Sequence, residues 1–243
     1  MKLHNRLAVL LISFAATILV GGAFVTATPV LAEGGATNAT ASAATSDPAR
    51  TTLSPEQALQ RLVEGNRRYV AEKAIHPDQT SQRRREVAQG QSPIAVVLTC
   101  SDSRVAPELF LDQGLGDLFV IRNAGNILDD HVIGSIEYAV DHLHVGLIVV
   151  VGHGKCGAVT AAATGGEVPG HIRSVTEAIA PAVEEVENLA GDKVENAVRA
   201  NAQRAARILN HVEPFLKSAA AAGHLKIVAA RYDLNTGGLE MLK

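Results

Sequence analysis

The apolar positions of the chain fall into three regimes. Behind a short basic start, MKLHNR, runs LAVLLISFAATILVGGAFV, an almost unbroken apolar stretch within the first 32 residues. Residues 33–52, EGGATNATASAATSDPARTT, are small and polar and have almost nothing to bury. From Leu53 to Lys243 the apolar residues recur with helical or strand periods. Ala58, Leu59, Leu62, Val63 and Tyr69 stand at helical spacing behind Ser54 and Pro55, which suit a cap and a first turn, so SPEQALQRLVEGNRRYVAEK is expected to form an amphipathic helix. A second, charged helix is expected over about Gln79 to Gln89, ending at Gly90. IAVVLT (94–99) and LIVVVG (147–152) are continuous β-branched runs, as in strands buried on both faces, and DLFVIRN (117–123) reads as another strand. SIEYAVDHL (135–143) and AVTAAATGG (158–166) read as helices, the second ending at its glycines. Residues 174–222 are helical with breaks near Gly191 and Pro214. LKIVAARYDLNTGGLEML closes the chain with a strand, a turn at Asn235 to Gly238 and a short final strand. Strands alternating with helices predict an α/β fold, with a mostly parallel central sheet, right-handed crossovers and flanking helices.

The leader changes where this domain is expected to work. Val30 and Ala32 are spaced for cleavage after Ala32, which makes 1–32 a signal peptide, 33–52 a disordered linker and 53–243 the folded domain. The mature chain would then be periplasmic or extracellular. The apolar run is also long enough to span a bilayer, which takes about 20 residues, so an uncleaved anchor is the alternative; Pro29 and the small-residue exit favour cleavage. The whole chain carries 22 Lys and Arg against 25 Asp and Glu, and the leader holds only positive charge, so the mature chain is more acidic still. Arg83 to Arg85 form an isolated basic cluster on a charged helix, not a nucleic-acid footprint. No membrane association is expected of the mature chain unless the leader stays.

Candidate chemistry gathers at two strand ends. TCSDSR follows the first buried strand and GHGKCG the third. In open parallel sheets functional groups collect beyond the carboxyl ends of the strands, so neighbouring strands would bring Cys100 to His153 and Cys156. The H-x-x-C step lets one tight turn present an imidazole and a thiolate to the same cation, and Cys100 adds a third ligand. Two thiolates and an imidazole suit zinc, one ion per subunit, with a fourth position open as in catalytic sites. A disulfide between Cys100 and Cys156 is the simpler expectation for an exported chain, but it leaves His153 and Asp102 without a shared purpose. Asp102, held ionised by Arg104, is placed either to take a proton from water at the open position or to fill that position itself. The residues alone leave both open. GHGKCG shares glycines and a lysine with phosphate-binding loops but lacks their spacing and the Ser or Thr after Lys155.

TCSDSRV followed by GHGKCGAV resembles the β-class carbonic anhydrases. The likeness runs from about Leu53 to the C-terminus through EGNRRYV, GQSP, FVIRNAGN and SIEYAV. The resemblance implies that Cys100, His153 and Cys156 are zinc ligands and that Asp102 and Arg104 form the catalytic dyad. It also implies that Gln91, Phe119, Tyr138 and Gly157 line the substrate pocket, some of them across a dimer interface. Ala124 stands where plant-type members often carry valine, which would widen that pocket. The implied reaction is reversible hydration of carbon dioxide to bicarbonate and a proton. A related zinc hydrolase of carbonyl sulfide or carbon disulfide is the nearest alternative, and a non-catalytic zinc-binding surface protein a more distant one. The implied assembly is a homodimer or a larger even-numbered homo-oligomer, with N-terminal helices packing across the dimer. A regulated subgroup has tryptophan three residues before the first cysteine and an arginine matched by Arg122. Here that position is Val97, so no second bicarbonate site is expected.

Overall fold

The computed structural model describes residues 53–243; the expected signal segment 1–32 and linker 33–52 lie outside the described residues. Helix α1 (Pro55–Val70) starts at a capping box, in which Ser54 Oγ accepts the Gln57 N–H at 3.2 Å and Gln57 Oε1 accepts the Ser54 N–H at 2.8 Å. Its buried face carries Ala58, Leu62, Gly65 and Asn66. A Cβ at Gly65 would lie 1.8 Å from the carbonyl oxygen of Leu111, so glycine is what lets the helix settle on that turn. Arg61 and Arg68 pin it further, pairing with Asp117 at 3.1 Å and Asp112 at 2.6 Å. Helix α2 (Ser81–Val87) is capped by Thr80 and buries none of its residues.

Among the described residues five strands form one sheet: β1 (Ala95–Cys100), β2 (Leu118–Asn123), β3 (Leu147–His153), β4 (Lys226–Tyr232) and β5 (Leu239–Leu242). Their order is β2-β1-β3-β4-β5, parallel except for β5, which returns antiparallel along β4. The expected α/β architecture is the observed one. β1 and β3 are buried at every residue, as their continuous β-branched runs require, while β2 is an edge strand and half-buried along most of its length. One face of the sheet packs Val96, Leu98, Ile148 and Val150 against α4 (Asp130–Asp141), α7 (Lys193–Leu209) and α8 (Phe215–Ala221). The other packs Ala95, Val97, Leu147 and Val149 against α1 and against Phe110 on the short α3 (Pro107–Phe110).

A third apolar cluster lies at the strand ends, where α5 (Gly157–Thr164), α6 (Ile172–Glu185) and α7 enclose Cys100 and Cys156. Two local differences from the sequence reading have local causes. Helix α4 begins at Asp130, not Ser135, because Asp129 caps it by accepting the Val132 N–H at 2.8 Å. The short helical turn Ala124–Asn126 was not expected and is made possible by Gly125 at φ 75°. Among the described residues no helix is long and apolar enough to cross a membrane.

Candidate metal centre

β1 ends at Cys100 and β3 ends at His153, and the pairing of Thr99 with Val151 sets the two ends side by side. After His153 the chain turns through Gly154 and Lys155, the latter at φ 53°, and Cys156 becomes the residue that precedes α5. A Cβ at Gly154 would come within 2.9 Å of Arg231 Nη2, so a side chain there would have to displace that guanidinium. The result is a buried cluster in which both sulfurs and a ring nitrogen of His153 lie within 4.8 Å of one another. The sulfurs are 4.0 Å apart and both cysteines are free, so the expected disulfide alternative is not what the fold builds.

His153 is fully buried, and its Nδ1 lies 3.0 Å from the carbonyl oxygen of Gly154. Donation from Nδ1 puts the lone pair on Nε2, which is buried with no hydrogen-bond partner among the described residues. An orphaned polar atom in an apolar cluster costs about 1–3 kcal/mol unless something ligates it. Two sulfurs and one imidazole nitrogen are the donor set that zinc takes, so the residues fit that ion. The thiols share their protons unequally. Cys156 hydrogen-bonds to Cys100 and holds it below the ordinary thiol value, while Cys156 is pushed up by Cys100 and by burial.

Asp102 stands beside the cluster, with Oδ2 3.9 Å from His153 Nε2. Arg104 grips it in a fork: Nε donates to Oδ1 at 2.9 Å and Nη2 to Oδ2 at 2.7 Å, and the Arg104 backbone N–H adds a third bond to Oδ1 at 3.0 Å. The fork holds the Asp102 carboxyl well below the usual carboxylate range against a modest opposing effect of burial, so it is ionised. Arg122 makes a contact at the site that sequence reasoning missed. It was weighed only as half of a second bicarbonate site. In the fold its Nε donates to the carbonyl of Cys100 at 3.0 Å and its Nη2 to that of Asp102 at 2.7 Å, clamping the turn that carries ligand and dyad.

The expected pocket residues divide into two groups. Ala124 and Gly157 are at the cluster, one beginning the turn that touches Cys100 and the other following Cys156. Gln91, Phe119 and Tyr138 are not brought to this chain's own cluster. Gln91 is exposed before the start of β1, whose six residues span about 20 Å. Phe119 pairs with Val96, four residues short of the Cys100–Asn123 pair, or about 13 Å along the strand. Tyr138 on α4 keeps company with Phe119, their rings 6.3 Å apart, and is exposed.

Comparison with known proteins adds three findings. A family model described as carbonic anhydrase matches residues 95–239. Carbonic anhydrase 2 of Mycobacterium tuberculosis is 43% identical over 187 residues, covering 75% of this chain and 90% of its own, and the carbonic anhydrase of Mycolicibacterium smegmatis is 41% identical over 191 residues, covering 77% and 93%. Among solved structures, a tetrameric β-carbonic anhydrase of Sordaria macrospora superposes with a TM-score of 0.62 at 27% identity, over 76% of this chain and 96% of its own.

Proposed function

The chain belongs to the β-class carbonic anhydrases, enzymes of reversible carbon dioxide hydration, and from that premise we propose that Cys100, His153 and Cys156 hold one zinc ion per subunit beside a working Asp102–Arg104 pair. The observation that carries this reading is the convergence of two buried sulfurs and an orphaned imidazole nitrogen next to an ionised carboxylate. Zinc, when bound there, supplies Lewis acidity toward water and substrate oxygen at its open fourth position. The chain's own groups do the rest. Nδ1–H donation to Gly154 aims His153 Nε2 into the cluster. Asp102 takes a proton from water at Oδ2, the oxygen that faces the cluster. Arg104 keeps that carboxylate charged and turned, and because it occupies both oxygens it opposes the alternative in which Asp102 itself becomes a ligand. Asp102 is half-buried and Arg104 exposed, so a proton taken at Asp102 has solvent within reach.

We extend the proposal to assembly and location. Gln91, Phe119 and Tyr138 serve the centre of a second copy in a homodimer or larger even-numbered homo-oligomer. The open, half-buried apolar edge of β2, the exposed Val70 at the end of α1 and the exposed Ile75 beyond it support such an association, although α1 already buries its apolar face on its own sheet. The Sordaria macrospora structure is described as tetrameric. Export to the periplasm or beyond rests on the leader sequence alone. A stopped-flow hydration assay with metal analysis tests the core of the reading. One zinc per chain and a rate abolished by chelation are expected. A zinc-loaded protein no faster than buffer would remove the enzyme from the proposal.

A further inference from the structure

Both sulfurs of the cluster have backbone N–H groups beside them, from different sources. Cys156 stands at the start of α5, where the N–H groups of Ala158 and Val159 lower its thiol's value although neither makes a cap hydrogen bond to it. Cys100 ends a strand, and the backbone N–H of Asp102, two residues on, acts on it. Its sulfur accepts the backbone N–H of Gly125 at 3.3 Å, from a turn 25 residues further along the chain. Gly125 is left-handed at φ 75°, and a Cβ there would lie 2.6 Å from Ile179 Cδ1, so conformation and space both demand glycine. Asn123 brackets this turn, accepting the Ile127 N–H and donating to the Ile127 carbonyl, each at 2.9 Å. Asn201, a buried polar residue among the alanines of α7, donates Nδ2–H to the carbonyl of Gly125 at 2.8 Å. The peptide before Gly125 is thus tied to sulfur and the peptide after it to α7. With both held, the torsions of Gly125 cannot swing its N–H away from Cys100.

A thiolate that accepts an N–H shares negative charge with the donor and keeps one lone pair committed, which alters what it gives to a cation. We infer that Asn201 is a positioning residue of the metal centre: by fixing Gly125 it aims a backbone N–H at the Cys100 sulfur and so sets that ligand's hold on the metal. The inference rests on the reading of Cys100, His153 and Cys156 as ligands.

The full chain loaded with cobalt(II) tests it, because sulfur-to-cobalt charge-transfer absorption in the near ultraviolet reports thiolate bonding without any assay of turnover. In Asn201→Leu, with the same number of side-chain heavy atoms but without the donor, that absorption should move to longer wavelength, and cobalt affinity, read by competition with a chelator, should weaken by about tenfold or more. Ala206→Gly, which disturbs the same helix away from Gly125, should leave both at their wild-type values. An unshifted band with unchanged affinity in Asn201→Leu overturns the inference, and so do equal shifts in both variants. Asn201→Ser, too short to reach Gly125, is judged by the same criteria if the leucine variant does not fold. If neither folds, the wild-type chain loaded with cadmium-113 decides: the Gly125 amide proton should couple to the metal through sulfur, and an assigned Gly125 amide without coupling overturns the inference. A wild-type chain that takes up no cobalt, or takes it up without a thiolate band, instead defeats the metal-ligand reading itself.

Discussion

The proposed reaction makes two demands on Asp102 that pull against each other: it must stay charged next to two cysteines, and it must keep an oxygen available for a proton. The Arg104 fork meets the first, and the position of Oδ2, 3.9 Å from His153 Nε2, leaves the second open. Asp102→Asn preserves the shape and removes the charge. Its hydration rate should fall by about 10²- to 10⁴-fold with zinc content unchanged. Loss of zinc in parallel with the rate would instead make Asp102 part of the metal's hold. At this scale much of the site is legible in sequence, since Cys100, Asp102 and Arg104 share one short stretch and His153 and Cys156 another. The clamp that Arg122 makes and the part of Asn201 were not read. The signal for Asn201 is an asparagine on the apolar stripe of an alanine-rich helix, which marks a buried polar group without naming its partner.

The elements that surround the site are held by buried charge as well as by apolar packing. Asp112, buried in the turn beneath α1, accepts Arg68 Nε at 2.6 Å and the N–H groups of Ile75 and His76 at 3.1 and 2.9 Å. Burial pushes its carboxyl up, but those donors outweigh burial and leave it below its ordinary value. A carboxyl with a lower folded than unfolded value stabilises the fold fully above the unfolded value of about 4, and loses that contribution as pH falls through the folded value. The free energy of unfolding in urea should therefore drop as pH falls through about 4 and below. Asp112→Asn should be less stable at neutral pH by about 3 kcal/mol and should show a shallower drop. Identical slopes for the two proteins would assign the acid sensitivity elsewhere. Helices and strands were legible because their periods are local, and the start of α4 was misplaced because Asp129 lies before the apolar pattern that signals the helix.

For the whole molecule the decisive feature is the open edge of β2, where Leu118 to Ile121 are half-buried in a single chain. Val120 belongs to none of the apolar clusters, and a lysine there would oppose edge-to-edge association at little cost to the core. Val120→Lys should lower the mass measured by light scattering to that of the monomer and reduce hydration activity sharply. Metal content should stay at one ion per chain, because all three ligands come from the same chain. A lysine variant with the wild-type mass would show that β2 is not the joining edge.

The residues alone determined the α/β order, the candidate ligand pair at spacing H-x-x-C, the third candidate two positions before Asp102, and the family likeness. Each of these is written in short stretches whose spacing is itself the physics. Only the tertiary structure decided that Gln91, Phe119 and Tyr138 stand away from this chain's own cluster, that Arg122 clamps two carbonyls, and that Asn201 steadies the N–H on Cys100. Those relations depend on strand register and on which helix crosses which strand end, and no local pattern along the chain encodes either.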